Sequence, residues 1–129
     1  MVNDLPEYYR IVFEVKSGRR LKKLSFGVEK SGETFTAGIG RQDGEVKVLP
    51  LTISANRFRS FDPEKVVPLN LKEDKVEIIS SPDGIEVNIN GMTVFARTDL
   101  TGGGKFFFEP ENDSQGGCLI SGFKLYRLQ

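Results

Sequence analysis

Histidine and tryptophan are absent from this 129-residue chain, and there is one cysteine, Cys118. Without histidine, Ser-His-Asp and Cys-His catalysis, histidine-ligated zinc and histidine pH switching are excluded as intrachain chemistry. A single cysteine excludes an intrachain disulfide and any multi-cysteine metal site. Cys118 itself reads as a small residue beginning a strand. Net charge is also missing. Eighteen Lys and Arg balance eighteen Asp and Glu, which argues against a surface built for nucleic-acid phosphates. No run approaches the roughly 20 apolar residues of a membrane-spanning helix. Met1-Val2-Asn3-Asp4-Leu5-Pro6 lacks the basic start and apolar stretch of a signal peptide. This fits a cytoplasmic protein and equally a domain of a longer secreted chain, so localisation stays open.

What is present is ordinary for a globular domain: 38% hydrophobic and 28% charged residues, well outside the disordered regime. The length suits one domain over 1–129, either alone or within a longer parent chain. At this size a compact chain buries roughly two-thirds of its unfolded surface, enough for a core without staples. Ten phenylalanines are the largest apolar contribution.

Period 2 dominates. Tyr9, Ile11, Phe13 and Val15 alternate with Tyr8, Arg10, Glu14 and Lys16, a half-buried strand. Leu24, Phe26 and Val28 follow, then Phe35, Ala37 and Ile39, separated by turns at Ser17-Gly18 and Ser31-Gly32. Asp43-Gly44 predicts a hairpin into Glu45–Val48. Pro50, Pro63 and Pro68 argue against a central strand or long helix beyond it, and Asn56–Pro63 reads as a loop. Val76 and Ile78, then Ile85, Val87 and Ile89, are further strands. Asn90-Gly91 suits a type I′ turn into Met92, Val94 and Ala96. Lys105–Glu109 and Leu119–Leu128 complete nine or ten short strands. The sole helix-like segment, Arg19–Leu24, is confined by Gly18 and Gly27. The fold class is therefore all-β, a two-sheet sandwich or barrel.

The segment from Lys75-Val76-Glu77-Ile78 to Met92-Thr93-Val94-Phe95, with Glu86-Val87-Asn88-Ile89 and Asn90-Gly91 between, resembles a hairpin of the concanavalin A-like, laminin G-like superfamily. Gly122–Leu128 is similar to that superfamily's closing strand, and the likeness spans roughly residues 70 to 128. It implies an antiparallel jelly-roll β-sandwich and a place among lectins, carbohydrate-binding modules, adhesion domains and some glycan hydrolases and lyases. The paired-carboxylate strand of the superfamily's glucanases is absent: Glu86, Asn88 and Asn90 carry one carboxylate. A tryptophan often found before the first of these strands is replaced by Asp74-Lys75.

Asn56-Arg57-Phe58-Arg59-Ser60-Phe61-Asp62 is the richest candidate for ligand contact. It offers aromatic faces for sugar C–H surfaces and planar amide, guanidinium and carboxylate groups for vicinal hydroxyls. Its plainer role is a loop anchored to the core by Phe58 and Phe61. Glu109, Glu111, Asn112 and Asp113 could coordinate calcium, but match no calcium motif and read more simply as a solvated loop. Arg19, Arg20, Lys22 and Lys23 suit an edge strand guarded against aggregation better than a glycan or nucleic-acid patch. Of Phe106-Phe107-Phe108, at least one ring must point away from the inner core.

The resulting expectation is a non-catalytic carbohydrate-binding module, with Asn56, Arg57, Phe58, Arg59 and Asp62 as ligand contacts and neither metal nor cofactor. A protein-interaction or assembly domain is the alternative, and a glycan-acting enzyme the third reading. The partner is a carbohydrate or another protein, with no membrane and oligomeric state open.

Overall fold

A computed structural model describes residues 3–16, 21–30, 33–42, 45–53, 57–59, 69, 73–97, 102–112 and 119–128. For residues 21–23, 30, 33, 35, 41–42, 45–53, 57–59, 95–97, 110–112 and 119, the description is of backbone alone. Ten strands appear in chain order: β1 (Tyr9–Lys16), β2 (Leu21–Lys30), β3 (Glu33–Gln42), β4 (Glu45–Ile53), β5 (Arg57–Arg59), β6 (Asp74–Ser81), β7 (Gly84–Ile89), β8 (Met92–Arg97), β9 (Lys105–Asn112) and β10 (Leu119–Arg127). They form two five-stranded antiparallel sheets, ordered β10-β1-β6-β7-β8 and β5-β4-β3-β2-β9. The architecture is the expected all-β jelly-roll sandwich, with no helix among the described residues.

Alternation explains the layers. Tyr9, Ile11, Phe13 and Val15 of β1, Val76 and Ile78 of β6, and Ile85, Val87 and Ile89 of β7 face Leu24, Phe26 and Val28 of β2, Ala37 and Ile39 of β3, and Phe106 of β9 in one core. A one-residue slip in any of these strands would turn its apolar set into water. Phe13 lies edge-on to Phe26 at 5.3 Å and to Phe108 at 5.0 Å, a geometry favoured by the ring quadrupoles. Phe106 and Phe108 point inward and Phe107 takes the opposite face of β9, half-buried and opposite Gly27. That resolves the Phe106–Phe108 run.

Three sequence readings need correction. The segment 57–59 is not wholly loop: its backbone pairs with β4 at Ile53, Thr52 and Leu51, making a short edge strand. Leu21–Leu24, part of the helix-like segment, belongs to β2, because pairing on both sides with β3 and β9 outweighs local helical propensity. Pro50 lies inside β4 despite lacking an N–H. The register steps from Thr36↔Thr52 to Gly38↔Leu49, so Pro50 and Leu51 together oppose Ala37 in a bulge, and β5 pairs only from Leu51 onward. A bulge next to an unpaired edge is where a strand tolerates proline.

Residues 5–8 and Leu128 are tied to the sandwich. Leu5 N–H donates to the Gly104 carbonyl (2.9 Å), Gly103 N–H to the Pro6 carbonyl (3.0 Å) and Leu128 N–H to the Tyr8 carbonyl (3.0 Å). The Ser80 hydroxyl donates to the Glu7 carbonyl at 2.8 Å. At the β7–β8 turn, Asn90 (φ 52°) and Gly91 (φ 80°) take the left-handed conformation of a type I′ turn. The Asn90 side chain accepts from Lys75 N–H and donates to buried Asp74, both at 2.9 Å. The turn is thereby stitched to the start of β6.

Candidate functional site

Three of the five sequence-predicted contacts lie at the β5 edge of the second sheet. Arg57, Phe58 and Arg59 form β5 itself, described as backbone, while Asn56 and Asp62 lie outside the described residues. Of the acidic loop, Glu109 is exposed on β9; Glu111 and Asn112 are in β9 as backbone, and Asp113 lies outside the described residues. Cys118, Arg19 and Arg20 also lie outside them, and Lys22 and Lys23 are described as β2 backbone.

A second surface emerges on the outer face of the first sheet. Antiparallel pairing sets Tyr126 opposite Arg10, Lys124 opposite Val12, and Ser121 opposite Glu14. On the other side of β1, Val12 opposes Glu77 and Glu14 opposes Lys75. Outward residues of β10, β1 and β6 therefore share one field. Its floor is lowered by a bulge: Gly122 and Phe123 together oppose Phe13, and Gly122 (φ 64°) takes the left-handed conformation that glycine accepts most readily. With no side chain at Gly122, the Glu14 carboxylate leans over it, its Oε2 3.8 Å from where a Cβ would stand. The result is a cleft of about 280 Å³ lined by Arg10, Val12, Glu14, Lys75, Lys124 and Tyr126, with Phe13 and Gly122.

The walls of the cleft are held by a polar chain running across all five strands. Arg10 lies over the Tyr126 ring, 5.5 Å from its centroid, a cation–π contact. Arg10 Nε donates to Glu77 Oε2 at 2.5 Å, Asn88 Nδ2 donates to Glu77 Oε1 at 3.0 Å, and the Thr93 hydroxyl donates to Asn88 Oδ1 at 2.7 Å. Partial burial works against the Glu77 carboxylate. The Asn88 and Arg10 hydrogen bonds, with the charges of Arg10 and Lys75, overcome it and hold its pKa below the ordinary value. Glu77 is thus a fixed anion that orients Arg10, and Arg10 in turn fixes Tyr126. Tyr126 nevertheless stays 41% exposed. Among the described residues, Glu14, Lys75 and Lys124 form no ion pair within 4 Å.

Sequence reasoning missed this cleft. It assigned Arg10 and Glu14 to the outer side of their strand, but their partners come from the opposite end of the chain. Only the β1–β10 register and the Gly122 bulge bring them together. The one local signal was the alternation of Lys124 and Tyr126 with Phe123 and Leu125 in the last strand.

The cleft and the β5 edge lie at opposite margins of the sandwich. Phe123 of β10 packs against Phe108 of β9 at 5.9 Å, so the β10 margin overlies β9 and β5 is at the far side. No protein-family model and no curated protein sequence matches the chain. Among solved structures it is similar to a tetrameric galectin from the ball sponge Cinachyrella sp., with a TM-score of 0.72 and 12% identity over 98% of this chain and 96% of that one. At that identity the likeness concerns the fold.

Proposed function

We propose that this chain is a non-catalytic carbohydrate-recognition module on a concanavalin A-like, laminin G-like jelly roll. The observation that carries the proposal is the cleft on the first sheet, where an exposed tyrosine ring is fixed beside a guanidinium and a half-buried carboxylate. Sugars present C–H faces that pack on such rings and vicinal hydroxyls that pair with such planar groups. The near full-length likeness to a galectin fold supports the same reading. Catalysis by two carboxylates is disfavoured because Glu77 is already committed to Arg10 and Asn88. Asn56, Arg57, Phe58, Arg59 and Asp62 are proposed as a second contact surface at the β5 margin.

Glycan-array binding of the intact chain, followed by titration of Tyr126→Ala and of the Arg57→Ala/Phe58→Ala pair, tests this. Tyr126→Ala is expected to weaken binding about tenfold, in keeping with loss of one stacking ring. Failure to bind any glycan overturns the recognition reading. Loss confined to the Arg57/Phe58 pair moves the site to the β5 margin. The protein-interaction reading has one observation of its own: Phe123 and Leu125, 37% and 36% exposed on the unpaired edge strand β10. Concentration-dependent sedimentation would support it.

A further inference from the structure

The charges around the cleft do not cancel, and this bears on what kind of sugar fits. Arg10 and Glu77 neutralise one another in their hydrogen-bonded pair. Lys75 stands opposite Glu14 in the β1–β6 register, and neither has an ion pair within 4 Å among the described residues. Lys124 likewise forms no ion pair within 4 Å among the described residues. It lies opposite Val12 on β10, and the acidic residue beyond Val12 in that row, Glu77, is turned to Arg10 and Asn88. Arg10, Lys75 and Lys124 thus line the cleft with Glu14 as its one carboxylate, and Glu77 stands behind Arg10, so the group as a whole carries one net positive charge. Lys124 and Tyr126 are two residues apart on one face of β10, about 7 Å along the strand. A pyranose lying on the Tyr126 ring therefore has its ring substituents within reach of the Lys124 ammonium.

Resting on the carbohydrate reading above, we infer that the cleft selects an acidic saccharide. Its ring packs on Tyr126, its carboxylate or sulfate is taken by Lys124, and its hydroxyls are bonded by Glu14 and Lys75. A charge-assisted contact of this kind is roughly twice as strong as a neutral one. Because Lys124 is exposed, salt should weaken the contact.

The test titrates the intact chain with a uronate-bearing disaccharide and with its neutral counterpart, in which a hydroxymethyl group replaces the carboxylate. A sulfated disaccharide and inorganic sulfate are the further arms. The uronate form is expected to bind on the order of tenfold tighter than the neutral form at low salt. Lys124→Gln should abolish that preference while leaving thermal stability unchanged. Tighter binding by the sulfated form than by the uronate assigns the anion as sulfate and also supports the inference. Equal binding of acidic and neutral sugars overturns it while leaving the carbohydrate reading intact. Inorganic sulfate binding as tightly as the acidic disaccharides overturns it in favour of a bare anion site. No binding of any saccharide removes the carbohydrate reading and the inference together.

Discussion

Replacing Gly102 with alanine is expected to pry the N-terminal arm off the sandwich. A Cβ built on Gly102 would lie 1.7 Å from the Glu7 carbonyl oxygen, 2.6 Å from its carbon and 2.7 Å from the Ser80 hydroxyl. The first two are backbone atoms and cannot rotate away. Relief requires the arm to move by well over 1 Å, which breaks three hydrogen bonds: Leu5 to Gly104, Gly103 to Pro6, and Ser80 to Glu7. At about 1 kcal/mol each, their loss amounts to about 3 kcal/mol. Re-exposing the buried Leu5 side chain adds about 2 kcal/mol, and the regained freedom of the arm returns a similar amount. The net expectation is about 3 kcal/mol, a fall in Tm of about 10–15 °C for a domain of this size. Urea titration gives the free energy, and amide exchange at Leu5 and Gly103 reports whether the arm is released. Gly91→Ala serves as the control. Nothing stands within 4 Å of its added Cβ, and only the positive φ is strained, at about 1 kcal/mol. If Gly102→Ala costs no more than Gly91→Ala, the close-approach argument is wrong.

The Tyr9 hydroxyl is buried with no hydrogen-bond partner among the described residues, so Tyr9→Phe should stabilise the fold by about 1 kcal/mol in thermal melts. Burial pushes the Tyr9 pKa up to about 12 from an ordinary 10. The unfolded chain therefore loses its proton first, and stability should fall between about pH 10 and 12 in the wild type but less in Tyr9→Phe. Glu77 has the opposite sign. Its lowered pKa means that its contribution is present above the ordinary carboxylate range and disappears as pH falls through the folded value; Glu77→Gln should flatten that part of an acid titration. Asn90→Ala removes the side-chain bonds to Asp74 and Lys75 and a residue suited to positive φ. It should cost about 2 kcal/mol in urea.

How much of this was legible in the sequence follows from the range of the interactions. β1, β7 and the Asn90-Gly91 turn were readable because alternation and turn chemistry act over two to four residues. So were the inward sets of β2 and β3 at Leu24, Phe26, Ala37 and Ile39. The short strand at 57–59 was not readable, since three residues carry too little periodicity and take their conformation from β4. Pro50 misled in the same way: its tolerance depends on a bulge opposite Ala37 that local sequence does not encode. The cleft was the least readable feature. Arg10 and Glu14 were legible as outward-facing, but the assembly of the cleft depends on pairing residues near 10 with residues near 124.

That same pairing has a consequence for biosynthesis. β1 is an interior strand, flanked by β6 and β10, yet its second neighbour is the last of the ten strands in chain order. At 5–20 residues per second, the roughly 110 intervening residues take about 5–20 s to be translated. Throughout that interval one margin of β1 has no hydrogen-bonding neighbour, and Tyr9, Ile11, Phe13 and Val15 are without a complete roof. The sheet around β1 is therefore completed only after β10 has been made.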